Sequence, residues 1–420
     1  MKKDDMQSGL SSMCSDKTAA KRCEDRMVAI MFFTWGVVFL DRMAQLYLMP
    51  YIAADLKLTD GQVGALAAAM AVCWAFSSLL FGAISDRVGR KIVLVPLTAL
   101  FSVLSGLSGL ARNFTQLMSV RAVMGVAEGP CWSVMNALVE QSSHPERRGR
   151  NVGIVVSAAA LIGLALAPVL TTQVAAHLGW RAAFFIAGAP GLLMAYLIAR
   201  YVREPGRSQQ EAGKEKRVGL TSILGYRNIW LCALAAAGFM SWLFLQNAFG
   251  ELYMVRVEHL DARTAGLLMG AAGLGSFFLG ILGPSLSDRL GRRPTLIAMA
   301  LLSTVLPVAL LCHSLYGNLW LLAGILFVTQ GGQAITALAI VLIPAESVPA
   351  GAAGTAIGFV TLVGELIGGT AAPLVAGSVA NSLGLQWPLW MAAAGSFVVF
   401  VSALLIKVPA GGFARHATVS

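Results

Sequence analysis

Charge is what this chain has least of. Only 12% of its 420 residues are Asp, Glu, Lys or Arg, while 57% are hydrophobic and the mean hydropathy is +0.72. Soluble globular chains carry about 25% charged residues, so most soluble classes are excluded. Cysteine is sparse and unpatterned: Cys14, Cys23, Cys73, Cys131, Cys232 and Cys312 form no CxxC pair, and four of them sit in apolar runs. That excludes a disulfide framework and a zinc site, and buried small hydrophobe is the expected role of those four. His144, His177, His259 and His416 fall in loops or the tail and His313 at a helix end, so no metal cluster is expected. A Walker A loop, HExxH, GxSxG and a GxGxxG opening a helix after a strand are all missing, which argues against an enzyme and against any cofactor. The first 26 residues have no short apolar core followed by a small-residue cleavage site, so the first spanning helix is expected to be the anchor.

What the chain does have is apolar runs of 20 or more residues, each long enough to cross a hydrocarbon core of about 30 Å. Twelve spans are expected: 27–50, 61–82, 92–111, 115–140, 151–177, 182–202, 227–253, 264–287, 294–313, 318–343, 353–380 and 386–407. The predicted fold is an all-α integral membrane protein of two six-helix bundles, 27–202 and 227–407. A linker at 203–226 contains Glu204-Pro205-Gly206 and a mixed-charge run, and the tails at 1–26 and 408–420 read as disordered.

The net charge of +10 raises nucleic acid as a partner, but position decides against it. With the N-terminus placed inside, 24 of the 31 Lys and Arg fall on the cytoplasmic side and five in outer loops. This is the positive-inside asymmetry, which sets orientation in a bilayer and predicts cytoplasmic termini in a plasma or inner membrane.

An internal repeat supports two halves. Asp86-Arg87-Val88-Gly89-Arg90-Lys91 returns as Asp288-Arg289-Leu290-Gly291-Arg292-Arg293, an offset of 202; Gly163, Pro168 and Gly179 return as Gly368, Pro373 and Gly384, an offset of 205.

A few charges lie inside the spans: Asp41 and Arg42 in the first, Arg121 and Glu128 in the fourth, and Glu365 in the eleventh. Seven residues separate Arg121 from Glu128, close to two helical turns, so both emerge on one face about 10 Å apart. A charge at mid-span costs about 2.5 to 3.5 kcal/mol on insertion scales, which places that face against a polar cavity rather than lipid. Pairing between helices, as of Asp41 with Arg121, would neutralise these groups without any substrate. The functional reading uses the same energetics: an Arg offers a carboxylate or phosphate a planar, permanently charged fork, and the acids can exchange protons as a bound anion competes for that fork. Asp41 and Glu128 offset Arg42 and Arg121, so this set of four turns positive when one acid is protonated.

Gly82-Ala83-Ile84-Ser85-Asp86-Arg87-Val88-Gly89-Arg90-Lys91 resembles the loop signature of the major facilitator superfamily, and its copy has Pro284 in place of the first Gly. The resemblance covers residues 27–407 and implies a monomeric transporter that works by alternating access. The conformational motif is then Gly82, Asp86, Arg87, Gly89 and Arg90, with Asp288, Arg289, Gly291 and Arg292 in the second half. Asp41-Arg42, Arg121 to Gly129 with Glu128, and Gly179-Trp180-Arg181 are similar to the anion:cation symporter family, where the first-helix Asp/Arg and fourth-helix Arg/Glu serve organic-anion binding and proton coupling. Spinster-like transporters of amphipathic lipids share much of this pattern, including Arg203-Glu204-Pro205. The expected partners are a small organic anion, a proton and the bilayer. Arg121 and Arg42 are the expected anion contacts, and Asp41, Glu128 and Glu365 the proton carriers. Trp242, Gln246, Asn247, Gln330 and Gln333 are candidate neutral contacts from the second half, with coupling placed mainly in the first.

Overall fold

A computed structural model describes residues 4–144, 147–202, 223–349 and 352–407; side chains are described for most of these, but not for Gly82, Asp86 and Arg87. Most of the expected linker, 203–222, and the expected tail at 408–420 lie outside the described residues. The described chain is helical throughout, with no strand. Its spanning helices are α1 (Asp4–Tyr47, extended by the short helix Met49–Asp55), α2 (Asp60–Val88), α3 (Arg90–Gly109), α4 (Phe114–Ser142), α5 (Asn151–Leu178) and α6 (Trp180–Tyr201). The second half follows as α7 (Arg227–Arg256), α8 (Ala262–Leu290), α9 (Arg292–Leu310), α10 (Leu319–Glu346), α11 (Thr355–Leu383) and α12 (Gln386–Leu405). Eleven of these are both long and apolar enough to cross a membrane, and α4, the helix of Arg121 and Glu128, completes the twelve by its length of 29 residues. The first helix begins at Asp4 where a disordered tail is predicted; no Pro interrupts the chain before Pro50, and Ala, Lys, Arg and Glu favour continuation.

Local chemistry fixes the boundaries. Thr59 opens α2 through a capping box with Gln62, and Asp261, at the repeat offset of 202, opens α8 by accepting from the Thr264 amide at 3.1 Å. Gly89 (φ +108°) and Gly291 (φ +99°) make the tight turns of the two basic loops, a conformation that L side chains rarely adopt.

The repeat is also written into packing between the halves. At the end opposite the basic loops, α2 packs on α11 and α5 on α8. A methyl group on Gly64 would lie 2.2 Å from the Pro373 carbonyl oxygen; one on Gly266 would lie 2.9 Å from the Pro168 carbonyl oxygen. Both contacts obey the sequence offsets, Gly64 to Gly266 and Pro168 to Pro373. Each proline follows a widened π-helical stretch, Ala159–Leu166 in α5 and Gly364–Ala371 in α11, again 205 apart. A proline cannot donate to the helical ladder and crowds the preceding turn, which is where such widening arises.

At that end the halves are also joined by the Arg256–Asp60 ion pair at 2.8 Å and by the Tyr47 hydroxyl donating to Asn247 Oδ1 at 2.8 Å. At the basic end the ion pairs seen among the described residues lie within one half. Glu24 pairs with Arg147 at 3.4 Å and accepts from Asn151 at 2.6 Å; Arg292 pairs with Asp288 at 2.5 Å and with Glu346 at 3.1 Å. The basic-end segments of α5 and α11, Arg148–Ala158 and Ala353–Val363, likewise pack within their own halves. The molecule is sealed at one end and parted at the other. Large exposed apolar side chains such as Phe76, Phe278, Trp320 and Phe397 form the outer belt expected against lipid.

Candidate functional site

The intramembrane charges converge near mid-depth. Asp41 and Arg121, both fully buried, pair at 3.4 Å, and the same Arg121 Nη1 also reaches the Asp41 carbonyl at 3.4 Å and Met124 Sδ at 3.1 Å. Ser105 donates a short hydrogen bond to Asp41, and the Arg121 guanidinium lies 4.5 Å from the centre of the Phe184 ring. α1, α3, α4 and α6 thus meet on one carboxylate. Arg121 is not saturated: its Nε and Nη2 are buried and have no hydrogen-bond partner, and these two groups form one edge of the guanidinium fork.

Glu128 is fully buried on the same helix, where its carboxyl meets that of Asp41 and lies within the field of Arg42 and Arg121.

Arg42 points the other way, as the roughly 100° step between neighbours on a helix requires. It crosses to the second half and pairs with Glu365 on α11 at 3.2 Å. Three aromatic rings surround its guanidinium: Trp74 at 4.7 Å, Phe244 at 5.0 Å and Phe39 at 5.9 Å. Beside it, Gln45 has an unpartnered amide and shares a small cleft with Arg42, Met70 and Phe244. Glu365 belongs to the widened turn of α11, so the second half contributes an acid to the central charges, where coupling is predicted mainly in the first.

The neutral candidates separate. Gln246 is fully buried with both amide atoms unpartnered; Asn247 accepts from Tyr47 and donates to the Leu243 carbonyl at 2.6 Å. Gln330 sits where α10 is broken: Gln330 and Gly331 leave the helical conformation between two helical stretches, and Gln330 Oε1 is buried and unpartnered. Broken spanning helices expose backbone polar groups at ligand sites in transporters. Trp242 is instead packed into the second half, donating its indole N–H to the Ser303 carbonyl at 2.8 Å and lying against Phe239 and Gly332. Gln333 lies against Gly280 of α8.

Two buried residues escape the sequence reading. Gln45 is one. Glu251 on α7 is the other, fully buried with both carboxyl oxygens unpartnered. Its sequence signal is that it is the only acid between Tyr226 and Arg256, close to the expected end of that span at 253. No group of three or more His, Cys, Asp or Glu placed to hold a metal occurs among the described residues.

Comparison with known proteins agrees with this architecture. The chain is 27% identical over 347 residues to a probable 4-methylmuconolactone transporter of Cupriavidus pinatubonensis, covering 80% of this chain and 79% of that one. It is 28% identical over 255 residues to a hexuronate transporter of Bacillus subtilis, covering 58% of this chain and 60% of that protein. In fold it is similar to a bacterial homologue of the lysosomal transporter Spinster, solved in an inward-facing and occupied conformation, with a TM-score of 0.71 at 18% identity over 90% of this chain and 94% of that one. The family model described as Major Facilitator Superfamily matches residues 31–372, and again 259–417. A match over most of the chain, on twelve helices in two pseudo-symmetric bundles, makes this protein a member of the Major Facilitator Superfamily, a transporter and not an enzyme.

Proposed function

We infer that the protein is a proton-coupled symporter that takes up a small organic acid by alternating access. The observation that carries this reading is the half-used fork of Arg121: one nitrogen on Asp41 and two buried donors free, with the Glu128 carboxyl against that of Asp41 beside it. A carboxylate can occupy the free Nε–Nη2 edge in bidentate fashion, which is the strongest geometry an Arg offers an anion. The names of the relatives, a muconolactone carrier and a hexuronate carrier, support an organic acid as the substrate class.

Counting Glu365 alters the charge arithmetic. The five central residues Asp41, Arg42, Arg121, Glu128 and Glu365 sum to −1 when all are ionised and to zero when Glu128 carries a proton. An arriving anion is therefore repelled by the fully ionised set and met by a neutral one after protonation. Proton and anion each favour the binding of the other, and reciprocity makes that coupling symmetric. The basic end faces the cytoplasm in this reading, with both termini inside an inner or plasma membrane, so the sealed end is the outer one and the described state is open inward.

Uptake into proteoliposomes tests the reading. A panel of radiolabelled organic acids is expected to include one that accumulates against its gradient when the lumen is alkaline and only equilibrates when the proton gradient is collapsed. Accumulation indifferent to the proton gradient overturns the coupling, and absence of any organic-acid flux overturns the substrate class.

A further inference from the structure

Glu251 has no part in the site above, and its surroundings give it one. It lies on α7 five residues before the helix ends at Arg256, with no exposed surface and no hydrogen-bond partner on either oxygen. One turn towards the centre, on the same face, Asn247 accepts from the Tyr47 hydroxyl of the other half at 2.8 Å. Electrostatic interaction links Glu251 to Tyr47 and to Tyr51, one turn further out on the extension of α1. Tyr51 in turn lines an open cleft of about 630 Å³ at the sealed end, together with Asp55, Trp180 and Asp261. Glu251 thus lies between an open cleft at the sealed end and the level of the central charges, beneath a tyrosine.

Several charged groups near this end are paired among themselves. Arg256 pairs with Asp60 at 2.8 Å, Glu258 with His313 at 2.6 Å, and Arg263 lies 4.0 Å from Asp261; Tyr253 donates to Glu258 at 3.4 Å. None of them neutralises Glu251. A lone carboxylate buried between helices costs several kcal/mol, so with this end closed the group is a neutral acid. Parting Tyr47 from Asn247 and Asp60 from Arg256 would wet it, and a hydrated glutamate ionises near pH 4.3.

We propose that Glu251 is a second proton-binding site, belonging to the C-terminal half and loaded from the outer cleft past Tyr51, whose protonation is required for the outer end to close. The step is a simple proton uptake: a hydrated carboxylate takes a proton from the external solution, becomes the acid, and is buried without a counter-ion. Closure therefore carries in a proton separate from that of Glu128. The proposal rests on the proton-coupled reading for its physiological use, but its chemistry holds without any substrate.

The test needs no transport and so separates it from that reading. Purified protein in nanodiscs, labelled with a fluorophore pair across the outer end on α2 and α8, reports closure as external pH changes. In wild type the closed-to-open ratio is expected to rise about tenfold per pH unit of acidification where one proton is bound on closing. Glu251→Gln, which mimics the acid, is expected to stay closed with that dependence lost, and Glu251→Asp to restore it. Difference infrared spectroscopy on the same samples is expected to show a buried carboxylic C=O band that Glu251→Gln removes and Glu128→Gln leaves. Wild-type pH dependence of closure in Glu251→Gln, or the absence of a band sensitive to that substitution, overturns the proposal.

Discussion

A single guanidinium, Arg121, uses its nitrogens unequally. Nη1 holds Asp41 and so ties α4 to α1, while Nε and Nη2 have no partner and, in the function proposed above, receive the anion. Arg121→Lys keeps the charge but loses the free edge. Anion affinity, measured by a ligand-induced thermal shift, is expected to fall about 10- to 100-fold, the span that 1.5 to 3 kcal/mol for a charged hydrogen bond gives. Wild-type affinity in that variant would remove Arg121 from the anion site. Glu128→Gln is expected to bind anion at neutral pH as the protonated wild type does and to lose accumulation driven by the proton gradient; persistence of that accumulation would assign the proton elsewhere. The residue types at this site were legible in the sequence because charge is so scarce in the spans. Their partners were not: Arg42 finds Glu365 across 323 residues of chain, and no spacing rule reaches that far.

At the scale of elements, the glycines divide by what they face. A side chain on Gly64 or Gly266 meets the other half, at Pro373 or at Pro168 and Thr172; one on Gly125 meets the Met70 carbonyl oxygen, at 2.4 Å, within the first half. Gly64→Val and Gly266→Val are therefore expected to force the sealed end apart and populate the open form, seen as faster labelling of a cysteine placed on the α2–α11 seam, with Tm little changed. Gly125→Val is expected to lower Tm by several degrees and leave the seam's labelling alone, since carbonyl clash inside one bundle cannot be relieved by moving the halves. At the rim, Arg181 and Trp180 donate to Asp55 at 2.8 and 3.2 Å and hold its carboxyl below the usual carboxylate range. Its folded value is the lower one, so this contact contributes above the ordinary carboxylate range of about pH 4 and is lost only as pH falls through the lowered value. Asp55→Asn should then leave Tm nearly unchanged at neutral pH, because the pair is almost half exposed. Glycine and proline positions could be read as bends and close approaches from sequence; that two of them form one symmetric seam needed the helices side by side.

For the molecule as a whole, length and hydropathy dictated the twelve spans, since a bilayer admits little but helices of about 20 apolar residues. The repeat offsets carried the pseudo-symmetry down to individual backbone angles: Gly179 and Gly384, 205 apart, both take positive φ, as do Gly89 and Gly291 at 202. What the sequence could not convey is conformation, because in the alternating-access reading the same residues make two arrangements with the sealed and parted ends exchanged. Cysteines placed at Asp60 and Arg256 and joined by a short reducible bis-thiol reagent are expected to stop turnover, reversibly with reductant; a cross-linked carrier that still cycles would mean that this end does not open. The widened turns of α5 and α11 add a mechanical corollary. α10 carries a similar widened stretch before Pro344, but α5 and α11, one on each seam, are loosened just before the seam prolines Pro168 and Pro373, which gives each slack for bending there. Tightening one of them alone would leave a lopsided carrier, shut along one seam and ajar along the other, through which small ions leak while the larger substrate stays out.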